Sequence, residues 1–237
     1  MNRMAQGAAL AFERKAVARL RRFPREPDVI VYSFRAIIAL LIRGLLRLYL
    51  RFEIVGRENL PDDNESFVMV ANHSSHLDAL CLLAALPLGR LHRAFPVAAE
   101  DYFFRGLPRT WFAAVAMNAL PFGRQLRVRE SLTVCARLLA EPGNVLVIFP
   151  EGTRSKTGAL QPFKPGIGAL LAETEVNVLP CHVEGAFRAW PKGRRLPRPR
   201  KVRLIIGAAR SYRGKEEAGA IAAELRRAVE GLKDGGG

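Results

Sequence analysis

Residues 145–149, Val-Leu-Val-Ile-Phe, form an unbroken apolar run that stops at Pro150 and passes at once into Glu151-Gly152-Thr153-Arg154-Ser155. A second run, Phe67-Val68-Met69-Val70-Ala71, ends as abruptly in Asn72-His73-Ser74-Ser75-His76-Leu77-Asp78. Short apolar runs with no polar alternation, bounded by breakers, are the pattern of strands buried in a core. Such strands need helices over the sheet, which points to the α/β class. Further strands are expected at 52–55, 94–98, 115–120, 178–183 and 202–206, and helices at 75–86, 102–112, 125–140, 164–174 and 215–232. The alternation predicts one domain over 52–232, with a mostly parallel or mixed central sheet covered by helices. In open sheets of this kind ligands gather at the carboxyl ends of strands, where both polar boxes fall.

Residues 1–51 have a different texture. Residues 8–23 read as a basic helix with Phe12, Ala16, Leu20 and Phe23 on one face, broken by Pro24 and Pro27. Residues 29–51 read as a more apolar helix whose only charges are Arg35, Arg43, Arg47 and Arg51, the last three spaced by four. Both suit a membrane interface, with apolar side chains among acyl chains and arginines at the phosphates. The alternative is a pair of helices packed on the domain with snorkelling arginines. A membrane span is not expected: it takes roughly 20 apolar residues, and the longest charge-free run, residues 110–123, contains Asn118 and Pro121. Residues 233–237 read as a frayed tail, and no secretory leader pattern is legible at the start.

Charge narrows the partners. The chain carries 37 Lys and Arg against 22 Asp and Glu, a formal net charge of +15, so a polyanion is expected: an anionic membrane surface or nucleic acid. Nucleic acid has little beyond charge to support it. Aromatic content is 8%, and no helix-turn-helix, zinc-finger or RNA-binding signature is present. Residues 188–203 are dense in Lys and Arg and, with their prolines and glycine, read as an exposed loop. Cys81, Cys135 and Cys181 are odd in number and lie apart in apolar stretches, which favours buried thiols in a reducing compartment.

His73 and Asp78 are the pair best suited to proton transfer. An imidazole removes a proton from an alcohol near neutral pH, and a carboxylate on its other nitrogen fixes the tautomer and stabilises the imidazolium. This works if His73 sits at the strand end and Asp78 in the first turn of a helix capped by Ser75. Ser75 to Asp78 is also the spacing of a capping box, so Asp78 reads equally well as a cap. His76 is a weaker candidate. A metal is not expected, because His92 and His182 lie in separate segments. Cys181 and His182 alternate along a strand and so face opposite ways. In the second box, Arg154 offers a planar fork for a phosphate, Thr153 and Ser155 add hydroxyls, and Gly152 permits close backbone approach. Lys164 and Gly166 follow where a helix begins, and Arg124 would complete a clamp on the same phosphate. The alternative is a surface turn with a Glu151–Arg154 ion pair. The chain lacks GxSxG, GxxxxGK[ST] and GxGxxG.

The segment NHSSHLDAL resembles the H-x-x-x-x-D box of the glycerolipid acyltransferases, and FPEGTRS, about eighty residues on, resembles their second hallmark. LPFGR is similar to the arginine block between them and VLPCHVEG to the proline block that follows. The resemblance covers roughly residues 50–210 and is closest to the 1-acyl-sn-glycerol-3-phosphate acyltransferases of bacteria. It implies that His73 is the general base and Asp78 its partner. Arg124, Glu151, Gly152, Thr153 and Arg154 would bind the glycerol phosphate, with Asn72, Ser75 and Lys164 nearby, and Pro180 would belong to a block tied to the acyl donor. The donor would be an acyl-carrier-protein or coenzyme A thioester, with no metal or other cofactor. The acceptor would be a lysophospholipid, and the place the cytoplasmic side of the inner membrane. Backbone amides near the first box are expected to hold the oxyanion. The arginine block departs from the family in having Pro121-Phe122-Gly123 before its arginine, which leaves other acceptors open: glycerol-3-phosphate, a lyso-ornithine lipid or another lysolipid.

Overall fold

The strand Phe67–Ala71 is buried at every residue because it runs through the middle of a seven-stranded sheet. The computed structural model describes residues 29–99, 110–122, 128–212 and 217–233. The basic helix expected at 8–23, Arg124, most of the helix expected at 102–112 and residues 234–237 lie outside the described residues. In chain order the strands are β1 (Glu53–Val55), β2 (Phe67–Ala71), β3 (Ala94–Ala99), β4 (Leu120–Phe122), β5 (Val145–Ile148), β6 (Asn177–Glu184) and β7 (Arg203–Ile206). They lie side by side as β1-β7-β6-β2-β5-β3-β4. Every neighbouring pair is parallel except β6 with β7, so the sheet is mixed.

The helices are α1 (Val29–Tyr49), α2 (Asp78–Ala85), α3 (Val128–Leu139), α4 (Gly166–Ala172), α5 (Ala186–Ala189) and α6 (Ala218–Gly231). Alternate residues of β2 enter two separate cores. Phe67, Met69 and Ala71 pack with Cys81, Leu82 and Ala85 of α2 and with Leu46 of α1. Val68 and Val70 pack with Cys135 of α3, Ile167 and Leu170 of α4 and Leu225 of α6. Burial on both faces is the physical reason for the unbroken apolar run, each large side chain contributing about 1.5–3 kcal/mol. β2 and β5 are adjacent and parallel, with Val70 beside Ile148, so the two polar boxes leave the same end of the sheet side by side.

The strand expected at 115–120 is displaced. Phe112–Ala116 form a π-helical turn, and the extended segment begins only at Leu120. Asn118, at φ 53°, adopts the left-handed conformation and donates from Nδ2 to the carbonyls of His92 and Ala94, 3.0 and 3.2 Å away. That turn ends the helical winding and delays the strand, a role for which Asn is among the few suitable residues.

Helix α1 turns two arginines inward together with Ala39, Ile42 and Leu46. Arg35 is buried and donates to the Val115 carbonyl at 3.0 Å, and Arg43 donates to the Leu86 carbonyl. The outward side presents Ile30, Ile37, Leu41, Leu45 and Leu48, the last 84% exposed. The stripe expected from Arg43, Arg47 and Arg51 therefore does not form: Arg43 turns inward, and Arg51 lies beyond the helix end at φ 47°. The reason is local. Leu86 ends α2 with a carbonyl beside α1, and a buried acceptor needs a donor. With 21 residues and a mean hydropathy of 2.0, α1 is also long and apolar enough to cross a membrane by length and composition, contrary to the expectation from charge-free runs.

Candidate active site

His73 stands just past the end of β2, and Asp78 opens α2. Their side chains meet: His73 Nδ1 lies 2.9 Å from Asp78 Oδ2. The same oxygen accepts from the Ser74 and Ser75 amides at 2.7 and 2.8 Å. Asp78 is fully buried, and its Oδ1 has no hydrogen-bond partner among the described residues. Asp78 thus caps the turn and holds the imidazole with the same oxygen. Ser75 Oγ, expected as the cap, accepts from the Leu77 amide at 3.1 Å and donates to the Trp190 carbonyl at 2.7 Å. With Nδ1 donating to the carboxylate, Nε2 carries the lone pair. The ring stacks on Phe149, centroids 4.2 Å apart and 19° from parallel, which fixes its plane. The His73 side chain is 22% exposed, enough for a substrate to reach Nε2.

The second box is stitched to the main chain of His73. Glu151 Oε1 accepts from the His73 amide at 2.6 Å, and the Ser155 amide donates to the His73 carbonyl at 2.8 Å. Glu151 Oε2 accepts from the Gln161 amide at 3.1 Å. Glu151 is only 4% exposed, so the alternative of a surface turn fails. Burial pushes its carboxyl up to about 7, against the pull of the two amide donors. Both oxygens being engaged by backbone, Glu151 serves to place His73, and the expected direct contact with a glycerol phosphate gives way to that.

Arg154 extends over the first box, its Nη1 2.6 Å from His76 Nδ1 and 2.8 Å from His76 Nε2. Gly152 has φ +71°, and a Cβ there would lie 2.7 Å from Lys164 Nζ. The glycine therefore meets two demands, a left-handed backbone and passage of the lysine over it. Lys164 thus lies over Gly152, two residues before Arg154 in the chain, and Thr153 between them is exposed. Helix α4 begins at Gly166 rather than at Lys164.

Three expectations are corrected. The amides of the first box do not face outward: those of His73, Ser74, Ser75, His76 and Leu77 bond to Glu151, Asp78, Asp78, the Trp190 carbonyl and Ser75 Oγ. None of these five is available to an oxyanion. Asn72 is buried and pairs through both side-chain atoms with the main chain of Val183, at 3.0 and 2.7 Å, prolonging the β2–β6 ladder. Pro180 lies within β6 opposite Val70, its ring directed toward Gly207 on the face away from α2 and His73. The thiols of Cys81, Cys135 and Cys181 are all buried, and burial raises each one's pKa. Sequence reasoning missed Phe149 and Trp190, which hold His73 and His76; neither contact leaves a signal in local spacing.

A family model described as acyltransferase matches residues 51–184. This chain belongs to the acyltransferase family. A chloroplastic 1-acyl-sn-glycerol-3-phosphate acyltransferase of Brassica napus is 33% identical over 147 residues, 61% of this chain and 40% of that protein. The human 1-acyl-sn-glycerol-3-phosphate acyltransferase alpha is 30% identical over 151 residues, 61% of this chain and 50% of that protein. This chain thus spans about half or less of the length of these relatives. The crystal structure of the 1-acyl-sn-glycerophosphate acyltransferase PlsC of Thermotoga maritima superposes with a TM-score of 0.66, covering 93% of this chain and 88% of that one. At 23% identity that likeness shows a shared fold.

Proposed function

We propose that this acyltransferase moves a fatty acyl group from an acyl thioester to the free hydroxyl of 1-acyl-sn-glycerol-3-phosphate, making phosphatidic acid. The observation that carries the reading is the His73–Asp78 pair at 2.9 Å, with Arg154 held over the same box. The names of the relatives support the choice of acceptor. His73 Nε2 takes the hydroxyl proton as the oxygen attacks the thioester carbonyl. The Asp78 carboxylate stabilises the imidazolium that forms. The tetrahedral intermediate collapses, the C–S bond breaks, and the imidazolium returns the proton to the thiolate. The products are an ester and a free thiol, with His73 restored and no cofactor consumed. The thioester is carried by acyl carrier protein or coenzyme A. Arg154 and Lys164, with Arg124, receive the acceptor's phosphate.

Arg154→Ala should raise KM for a lysophosphatidate about 10–100-fold, the value of a charge-assisted hydrogen bond, with a much smaller change in kcat. Steady-state kinetics on mixed micelles measures this. An unchanged KM would detach Arg154 from the phosphate. The unusual Pro121-Phe122-Gly123 block keeps a second acceptor in play. The same assay with glycerol-3-phosphate and a lyso-ornithine lipid separates the readings, since only the second lacks the phosphate.

The outward face of α1 suits the acyl region of a bilayer, and residues 190–200 suit its anionic headgroups. Tyr49 at the end of α1 bonds to the Pro197 carbonyl at 3.2 Å, so helix and loop form one surface. Lys192, Arg194, Arg195, Arg198 and Arg200 are exposed on it, beside Leu196 at 74% exposure. We place this surface on the cytoplasmic side of the inner membrane. Leu41→Asp with Leu48→Asp should cut cosedimentation with anionic vesicles at least about 10-fold. Both side chains are exposed, so the melting temperature should stay within about 2 °C. Undiminished cosedimentation would overturn the assignment.

A further inference from the structure

His76 belongs to the first box and has no part in the proton transfer. Its amide donates to the Trp190 carbonyl at 3.3 Å, and its ring sits 5.1 Å from the Trp190 ring at 43°. Ser75 Oγ donates to that same carbonyl, and Ser75 pairs with Pro191 in an isolated bridge. The imidazole thus packs against Trp190. Arg154 Nη1 lies 2.6 and 2.8 Å from its two ring nitrogens.

We infer that His76 is a positioning residue: its neutral ring accepts from the Arg154 guanidinium and aims that fork at the acceptor's phosphate. A neutral imidazole offers one lone pair to a donor, whereas an imidazolium offers none and repels a guanidinium. The charged and titratable groups facing His76 are Arg154 from the second box and Asp78 and His73 from the first. Burial foremost, then the charge of Arg154, holds the His76 pKa below the usual histidine value, with Asp78 opposing. The ring is thus neutral at physiological pH, and acceptor binding weakens as the ring takes up a proton. Sequence gives no hint of this, because His76 and Arg154 are 78 residues apart.

The inference rests on Arg154 binding the phosphate, and kinetics on lysophosphatidate against monoacylglycerol, which lacks the phosphate, tests both. His76→Leu should raise KM for lysophosphatidate about 3–10-fold with kcat within about 3-fold, and leave KM for monoacylglycerol unmoved. His76→Gln, which keeps an acceptor that does not titrate, should recover most of that loss at about pH 8. Between about pH 8 and pH 5 the unmodified protein's KM should climb several-fold more than that of the Gln variant. Both proteins share every other group of the site and the same substrate, so the comparison isolates residue 76. On an Arg154→Ala background, His76→Leu should add nothing. Parallel pH profiles, equal effects on both acceptors, or full additivity with Arg154→Ala would each overturn the positioning role while leaving the phosphate assignment intact. No effect of Arg154→Ala on KM would overturn both.

Discussion

His73→Ala should lower kcat about 10²–10⁴-fold, the usual contribution of a general base. The loss should fall on kcat rather than on KM, because the ring acts on the hydroxyl proton and the phosphate is held elsewhere. The backbone bonds that place residue 73 survive the substitution: Glu151 still accepts from its amide and the Ser155 amide still donates to its carbonyl. What is lost in stability is the stacking on Phe149, about 0.5–1.5 kcal/mol for an aromatic pair, and the bond to Asp78 Oδ2, about 1.5–3 kcal/mol for a hydrogen bond to a charged group. Thioester-release kinetics, a thermal melt and vesicle cosedimentation on one preparation measure all three. A variant that binds vesicles, melts near the parent temperature and turns over at full rate would remove the imidazole from the chemistry.

Asp78 offers the second large effect, and two substitutions separate its two duties. In Asp78→Asn the amide oxygen can occupy the Oδ2 position and still accept from the Ser74 and Ser75 amides. The negative charge facing Nδ1 is gone, so kcat should drop about 10²-fold or more while the melting temperature moves little. Asp78→Ala removes the acceptor as well. Two buried amides are then orphaned, each at about 1–3 kcal/mol, so the melt should fall by many degrees in addition to the loss of rate. If Asp78→Asn keeps its rate and only melts earlier, the carboxylate is a cap and nothing more.

Those two predictions draw on positions that local pattern had marked out. β2 and β5 were legible because strands covered on both faces must be apolar throughout, and both boxes were legible because polar residues cannot continue such a strand. The spacing of His73 and Asp78 suited either a cap or a catalytic pair, and no count of residues separates the two. The structure shows one oxygen meeting both demands at once. Glu151 was harder to read, since an acid beside an arginine suggests an ion pair. Its real partners are two main-chain amides, one of them 78 residues away, and backbone donors leave no trace in composition. The same blindness sent Asn72 to the site when it belongs to the β6 ladder, and assigned free amides to a first box whose amides from His73 to Leu77 are engaged. In α1 the exposed apolar face was legible, and the arginine stripe was not. A helical wheel does not separate arginines from apolar residues: Arg35 and Arg43 share the inward face with Ala39, Ile42 and Leu46, and only the Val115 and Leu86 carbonyls show why the two arginines are tolerated there.

The chain's own sequence determined that a buried parallel core would end in two polar boxes and that an imidazole and a carboxylate would share one of them, because apolar runs, breakers and short spacings act within a few residues. The tertiary structure alone decided that the boxes meet, that Glu151 pins the base from across the sheet, that Arg154 rests on His76 and that Arg35 and Arg43 of α1 turn inward. These are pairings between segments distant in the chain, and they exist only once the sheet order brings β2 beside β5.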